Sequence, residues 1–141
     1  MKRIVKFVCI LMLVALCFSI VSCGNETKET DLWESAVYTK DTEFGSGEKT
    51  LLIEVKAGDK SVTFTIHTDK ETVGESLITH DLVSGTQGAY GLYIEQVNGI
   101  TADYSKNQSY WSFTKDGQYI MTGVDSTKFN NGEHFELTYT K

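Results

Sequence analysis

The stretch Thr50-Leu-Leu-Ile-Glu-Val-Lys-Ala57, Gly58-Asp59-Lys60, Ser61-Val-Thr-Phe-Thr-Ile-His67 decides the fold. Leu51, Ile53, Val55 and Ala57 fall on one side of an extended chain, and Glu54 and Lys56 fall on the other. After the turn, Val62, Phe64 and Ile66 repeat the alternation against Thr63, Thr65 and His67. A period of two on both sides of a Gly-Asp turn predicts an antiparallel hairpin with one buried and one solvated face.

The buried face needs a cover, and the next segment supplies one. Thr72-Val-Gly-Glu75 has the form of a capping box, and Asp69, Glu71 and Glu75 suit the positive end of a helix dipole. Leu77, Ile78 and Leu82 form an arc wide enough to lie on a sheet, with a stop expected near Ser84-Gly85. Gly85 to Gly88 reads as a loop. Tyr90 to Val97 reads as a strand, turned by Asn98-Gly99 into Ile100–Tyr104. A second hairpin runs from Tyr110, Trp111 and Phe113 through Lys115-Asp116-Gly117 to Tyr119, Ile120 and Met121. Residues 133–140 close the chain as a strand, with Phe135, Leu137 and Tyr139 on one face. Upstream, residues 33–40 read as a short strand or hook and Phe44–Gly47 as a loop. The order β-β-α-β-β-β with one helix points to an α+β fold of β-grasp type, a mostly antiparallel sheet of five or more strands under one helix.

Further out lie the targeting signals. Met1–Lys6 is basic, Phe7–Val21 is apolar apart from Ser19, and Ile20-Val21-Ser22-Cys23 resembles a bacterial lipobox. The run is shorter than the ~20 residues of a spanning helix, so residues 1–22 read as a signal peptide and Cys23 as a lipidated N-terminus. Cys9 and Cys17 would leave with the leader, so neither an internal disulfide nor a cysteine metal site is expected. Residues 23–32 read as a flexible tether to a domain spanning 33–141. The protein is expected on the extracellular side of the cell membrane, held by its lipid. The formal charge is −6; beyond residue 22 there are 10 cations against 19 carboxylates, a balance of −9. Such a surface repels phosphate backbones, so no nucleic acid is expected as partner.

The chemistry is sparse. His67, His80 and His134 follow no metal-ligand spacing, and no nucleophile motif or phosphate loop is present, so no enzyme is expected. Trp111 and Phe113 share a strand face opposite Tyr110 and read first as core. Tyr104, Tyr110, Tyr90 and Tyr93 are candidates for an exposed platform that binds a flat ligand. Asp103 and Asp125 sit at expected strand ends and are candidates for a hard-cation site or for turn and cap roles.

Tyr90-Gly-Leu-Tyr93, Val97-Asn-Gly-Ile-Thr-Ala-Asp-Tyr104, Tyr110-Trp-Ser-Phe113, Met121-Thr-Gly-Val-Asp-Ser-Thr127 and the Asn131-Gly132 turn carry a family resemblance. On these, Lys49–Lys141 resembles the transcobalamin-like C-terminal domain, also named domain of unknown function 4430. Its bacterial members are commonly surface lipoproteins. The resemblance implies a β-grasp-like fold and a cobalamin or related corrinoid as ligand. In transcobalamin and intrinsic factor this small domain closes over a corrinoid held by a large helical domain. No helical domain is read in this chain, so the expected site is half a site, weak alone or completed by a partner. With the resemblance added, the ligand-contact candidates are Tyr90, Tyr93, Tyr104, Tyr110, Trp111, Phe113 and Asp103, and a membrane transporter is the expected recipient. The alternatives are a cell-surface adhesion or protein-interaction module and a divalent-metal-binding lipoprotein using Asp103 and Asp125.

Overall fold

The computed structural model describes residues 31–141. The segments expected to be a signal peptide with lipobox, the lipidated Cys23 and the tether up to residue 30 lie outside the described residues. Within residues 31–141 no helix is long and apolar enough to cross a membrane.

The domain is mostly β, with two sheets and few helices. A 3-10 helix, Leu32–Ser35, comes first. The larger sheet contains β1 (Thr42–Gly45), β2 (Lys49–Ala57), β3 (Lys60–Thr68), β7 (Tyr110–Lys115), β8 (Gln118–Tyr119) and β9 (Glu133–Thr140). Its spatial order is β1-β3-β2-β9-β7-β8. The smaller sheet contains β4 (Val83–Gly88), β5 (Gly91–Val97) and β6 (Ile100–Thr101), in that order. Two short helices, α1 (Val73–Thr79) and α2 (Tyr104–Asn107), lie between strands.

The β2–β3 hairpin forms in the expected register, with Ile53 opposite Phe64 and Val55 opposite Val62. Every second residue of β2 and β3 is buried, so one face of the large sheet is core. Strand β9 adds Phe135 and Leu137 beside Ile53 and Val55. Burying each such side chain is worth ~1.5–3 kcal/mol. The β2–β9 and β1–β3 pairs are parallel, while β2–β3, β7–β9 and β7–β8 are antiparallel, so the large sheet is mostly antiparallel with two parallel pairs. Alternation marks which face is buried but not which strand lies alongside.

The capping box is present: Glu75 N–H donates to Thr72 Oγ1 at 3.2 Å, and the Glu75 carboxylate accepts from Thr72 N–H at 3.2 Å. Helix α1 is shorter than expected, because it ends in a Schellman motif. Leu82 N–H donates to Leu77 O at 3.0 Å and Asp81 N–H to Ile78 O at 3.1 Å. Asp81 occupies the left-handed position at φ 54. The sequence pointed to Gly85 because glycine usually fills that position; Asp tolerates it through its short polar side chain. Leu82 is buried outside the helix and Ile78 is half exposed.

Gly85–Gly88, expected as a loop, belongs to β4. The register slips between Ser84 and Gly85, and a Cβ at Gly85 would lie 1.9 Å from Tyr93 O. Glycine permits this close approach and also erases the alternating signal. Phe44 and Gly45, also expected as loop, form β1. Phe44 packs edge-on against Tyr38 and Phe64.

The N-terminal strap joins the two sheets. Asp31 and Leu32, assigned to the tether by sequence, are the cap and first residue of the 3-10 helix. Trp33 is buried and its indole N–H donates to Ala57 O at 2.8 Å. Lys60 pairs with Asp31 at 2.6 Å. Further on, the buried Asn98 carboxamide accepts from Tyr38 N–H and donates to Tyr38 O, both at 2.8 Å. Asn98 and Gly99 both have positive φ, as a type I′ turn requires.

Two substitutions test this account by denaturant unfolding. Ile53→Ala should cost ~2–5 kcal/mol by leaving a cavity in the sheet core. Thr72→Ala should cost ~1 kcal/mol by removing one cap.

Candidate functional site

The sequence candidates fall into three groups. Trp111 and Phe113 belong to the core side of β7. Trp111 is 7% exposed and meets Tyr139 edge-on at 5.6 Å, although its indole N–H finds no partner. Phe113 stacks on Phe135 at 5.5 Å. Alternation along β7 turns both toward the core while Tyr110 lies on the other face.

Tyr104 and Tyr110 form the second group, joined by Tyr119, which sequence reasoning left out of the site. Tyr119 follows the Asp116-Gly117 turn and lies opposite Thr114, on the same face as Tyr110. The Tyr119 phenol beside Tyr110 is the main cause of an upward shift in the Tyr110 phenol, with Thr140 opposing it and Tyr104 adding to it. Ile100–Tyr104, expected as one strand, is a two-residue strand followed by α2. Asp103 is the reason. Its carboxylate caps α2, accepting from Ser105 N–H at 3.0 Å and Lys106 N–H at 3.2 Å. The Ser105 hydroxyl and the Lys106 ammonium hold it at about 2. Asp103 is thus engaged in local structure rather than offered to a ligand.

The third group surrounds Asp125. The β4–β5 turn carries Tyr90, which is 96% exposed; the loop after β8 carries Met121, also 96% exposed. The two loops touch through glycine. A Cβ at Gly91 would lie 2.5 Å from Asp125 Oδ1, and one at Gly123 would lie 2.6 Å from the same oxygen and 3.4 Å from Tyr90 O. Helix α1 closes the back, where a Cβ at Gly74 would meet Asp125 N and Cα at 2.7 Å. Oδ2 accepts from the Gln87 amide at 3.2 Å. Oδ1 is buried and accepts no hydrogen bond. Burial pushes the carboxyl up, but the Gln87 amide and the nearby N–H groups of Leu92, Asp125 and Ser126 outweigh it. The net shift is downward, so Asp125 is charged at neutral pH.

Buried polar atoms are normally bonded, which makes Oδ1 the exception that calls for an occupant or a structural reason. Tyr93 stands nearby in sequence but points from β5 opposite Thr86, half exposed. Asp103 and Asp125 engage different partners, and among the described residues no three His, Cys, Asp or Glu are grouped to hold a metal.

The family model described as Domain of unknown function (DUF4430) matches residues 70–141. The chain belongs to this family. No curated protein matches it. Among solved structures, a protein from Ruminococcus gnavus ATCC 29149, provisionally described as metal binding, is 40% identical with a TM-score of 0.63. The match covers 67% of this chain and 98% of that one. Haptocorrin in complex with cobinamide matches at 18% identity and a TM-score of 0.51. That match covers 70% of this chain and 26% of haptocorrin, and the likeness is one of fold. The DUF4430 match agrees with the family read from the sequence motifs, and the haptocorrin likeness agrees with it in fold.

The cradle makes a specific demand. Gly91→Ala would press a methyl group on Oδ1 at a φ of +113, which should lower stability by ~1–3 kcal/mol. In an Asp125→Ala background the penalty should shrink to the backbone part alone, a coupling that a double-mutant cycle by thermal melting measures.

Proposed function

We propose that this DUF4430 protein is an exported lipoprotein, anchored through Cys23, whose domain binds a small ligand at the rim formed by residues 87–93 and 120–126. The observation that carries the reading is the buried, charged Oδ1 of Asp125, near backbone N–H groups but without a well-aligned hydrogen bond, beneath two almost fully exposed side chains, Tyr90 and Met121. Few convergent polar groups set among apolar surface is the usual composition of a small-molecule site. Close glycine-lined backbone lets a ligand approach the chain itself.

A corrinoid is the ligand that the transcobalamin-like resemblance puts first, and transfer to a membrane transporter its use. Support comes from haptocorrin, solved with cobinamide, which this chain resembles in fold. A ligand held by this domain alone would be covered on one side only. A second reading is a hard cation on Asp125, favoured by the free Oδ1 and by the oxygen of Tyr90 across the cradle. Lipid anchoring would raise the effective concentration of either ligand at a membrane partner.

Thermal melting of the protein with cobinamide, cobalamin, Ca²⁺, Mg²⁺ and Zn²⁺ tests both readings. One ligand at 100 times its dissociation constant should stabilise by ~2.7 kcal/mol. Tyr90→Ala with Met121→Ala should remove a corrinoid response, and Asp125→Asn a cation response. A flat melting temperature across the panel would sink both.

A further inference from the structure

The second tyrosine group lies apart from the Asp125 rim in its chemistry. Tyr104 is 62% and Tyr119 67% exposed, and Tyr110 lies with them. The same face of β7 and β9 carries a run of hydroxyls. Ser112 is opposite Thr138 and Tyr110 opposite Thr140. Ser112 Oγ donates to Thr138 O at 3.2 Å, and Thr140 Oγ1 donates to Ser112 Oγ at 3.4 Å.

Charge is withdrawn from this surface. Glu136 on the same face is buried, accepting from Thr114 Oγ1 and from Gly117 N–H. Beside Tyr104, Asp103 and Lys106 neutralise one another at 3.0 Å. A chain with a formal charge of −6 therefore presents here an aromatic, hydroxyl-bearing strip on an open sheet, with the Glu136 carboxylate buried within it.

We propose that this strip, Tyr104, Tyr110 and Tyr119 with the half-buried Thr138 and Thr140 hydroxyls, binds a neutral polysaccharide. A sugar ring has an apolar C–H face and a hydroxyl edge. A phenol offers the complementary pair, a ring face and a polar tip, on a side chain with little rotamer freedom to lose. An open sheet suits an extended chain rather than an enclosed ligand. A polyanion is repelled by the net charge, and a phosphate or carboxylate finds no free cation in the strip. The proposal stands independently of the Asp125 rim.

The test is co-sedimentation of the full chain, in detergent, with insoluble cellulose, chitin and curdlan, and with an anionic resin as control. The expected result is retention on at least one neutral polymer that survives raised salt. Tyr104→Ala with Tyr119→Ala should weaken it by about tenfold or more. Both residues are exposed, so circular dichroism should show the double variant folded. Ile78→Ala, half exposed on α1, should bind as the parent does. Absence of retention on all three polymers would overturn the proposal. So would a folded double variant that binds like the parent, or retention only on the anionic resin.

Discussion

The parallel pairing of β2 with β9 is the constraint on which the rest of the domain depends. It sets Ile53 and Val55 beside Phe135 and Leu137, the most deeply buried part of the core. Parallel neighbours cannot be joined by a tight turn, so the chain between them must cross over and find places for itself. Here the crossover holds β3, α1, the whole small sheet, α2, β7 and β8. The Asp125 rim and the tyrosine strip are therefore both products of one long connection, fixed at its ends by the central strands. Closing such a connection is slow, and folding should be governed by these non-local contacts.

The small sheet buries Val83, Ile94, Val97 and Ile100 in the common core and is positioned further by three local devices. Asn98 imitates a strand partner for Tyr38, binding both its N–H and its C=O. Trp33 pins the same strap to the β2–β3 turn. Glycines 74, 91 and 123 let helix, turn and loop close on Asp125. Order at the rim is thus imposed from outside it, which leaves a carboxylate oxygen buried without a hydrogen bond where unconstrained backbone would have supplied one.

Most of the large-sheet elements were legible because their signals are local. The Leu51–Ile66 alternation, the Thr72–Glu75 box and the Asn98-Gly99 and Asp116-Gly117 turns each act over a few residues. What escaped was decided by distance or by exception. Strand neighbours depend on tertiary packing, so the parallel β2–β9 pair had no sequence mark. Asp81 ended α1 in a position where glycine is the usual sign. Gly85 hid β4 because close approach required a residue without a side chain. Of the candidate site, Tyr90, Tyr104 and Tyr110 are at the surface as read, whereas Trp111 and Phe113 face inward. Tyr119 and Met121 went unchosen because exposure of an apolar residue after a turn cannot be read from its type. Asp125 was noted as a strand-end acid; the glycine cradle that gives it significance brings together residues from three separate segments.

The most direct measurement is an amide chemical-shift map of the ¹⁵N-labelled protein, titrated in turn with cobinamide and with Ca²⁺. If the Asp125 rim is the ligand site, saturable shifts will concentrate at Gln87–Tyr93 and Met121–Ser126 and leave the β2–β3 hairpin unmoved. Saturable shifts centred elsewhere, with the amides around Gly91 and Gly123 unchanged, would contradict the account.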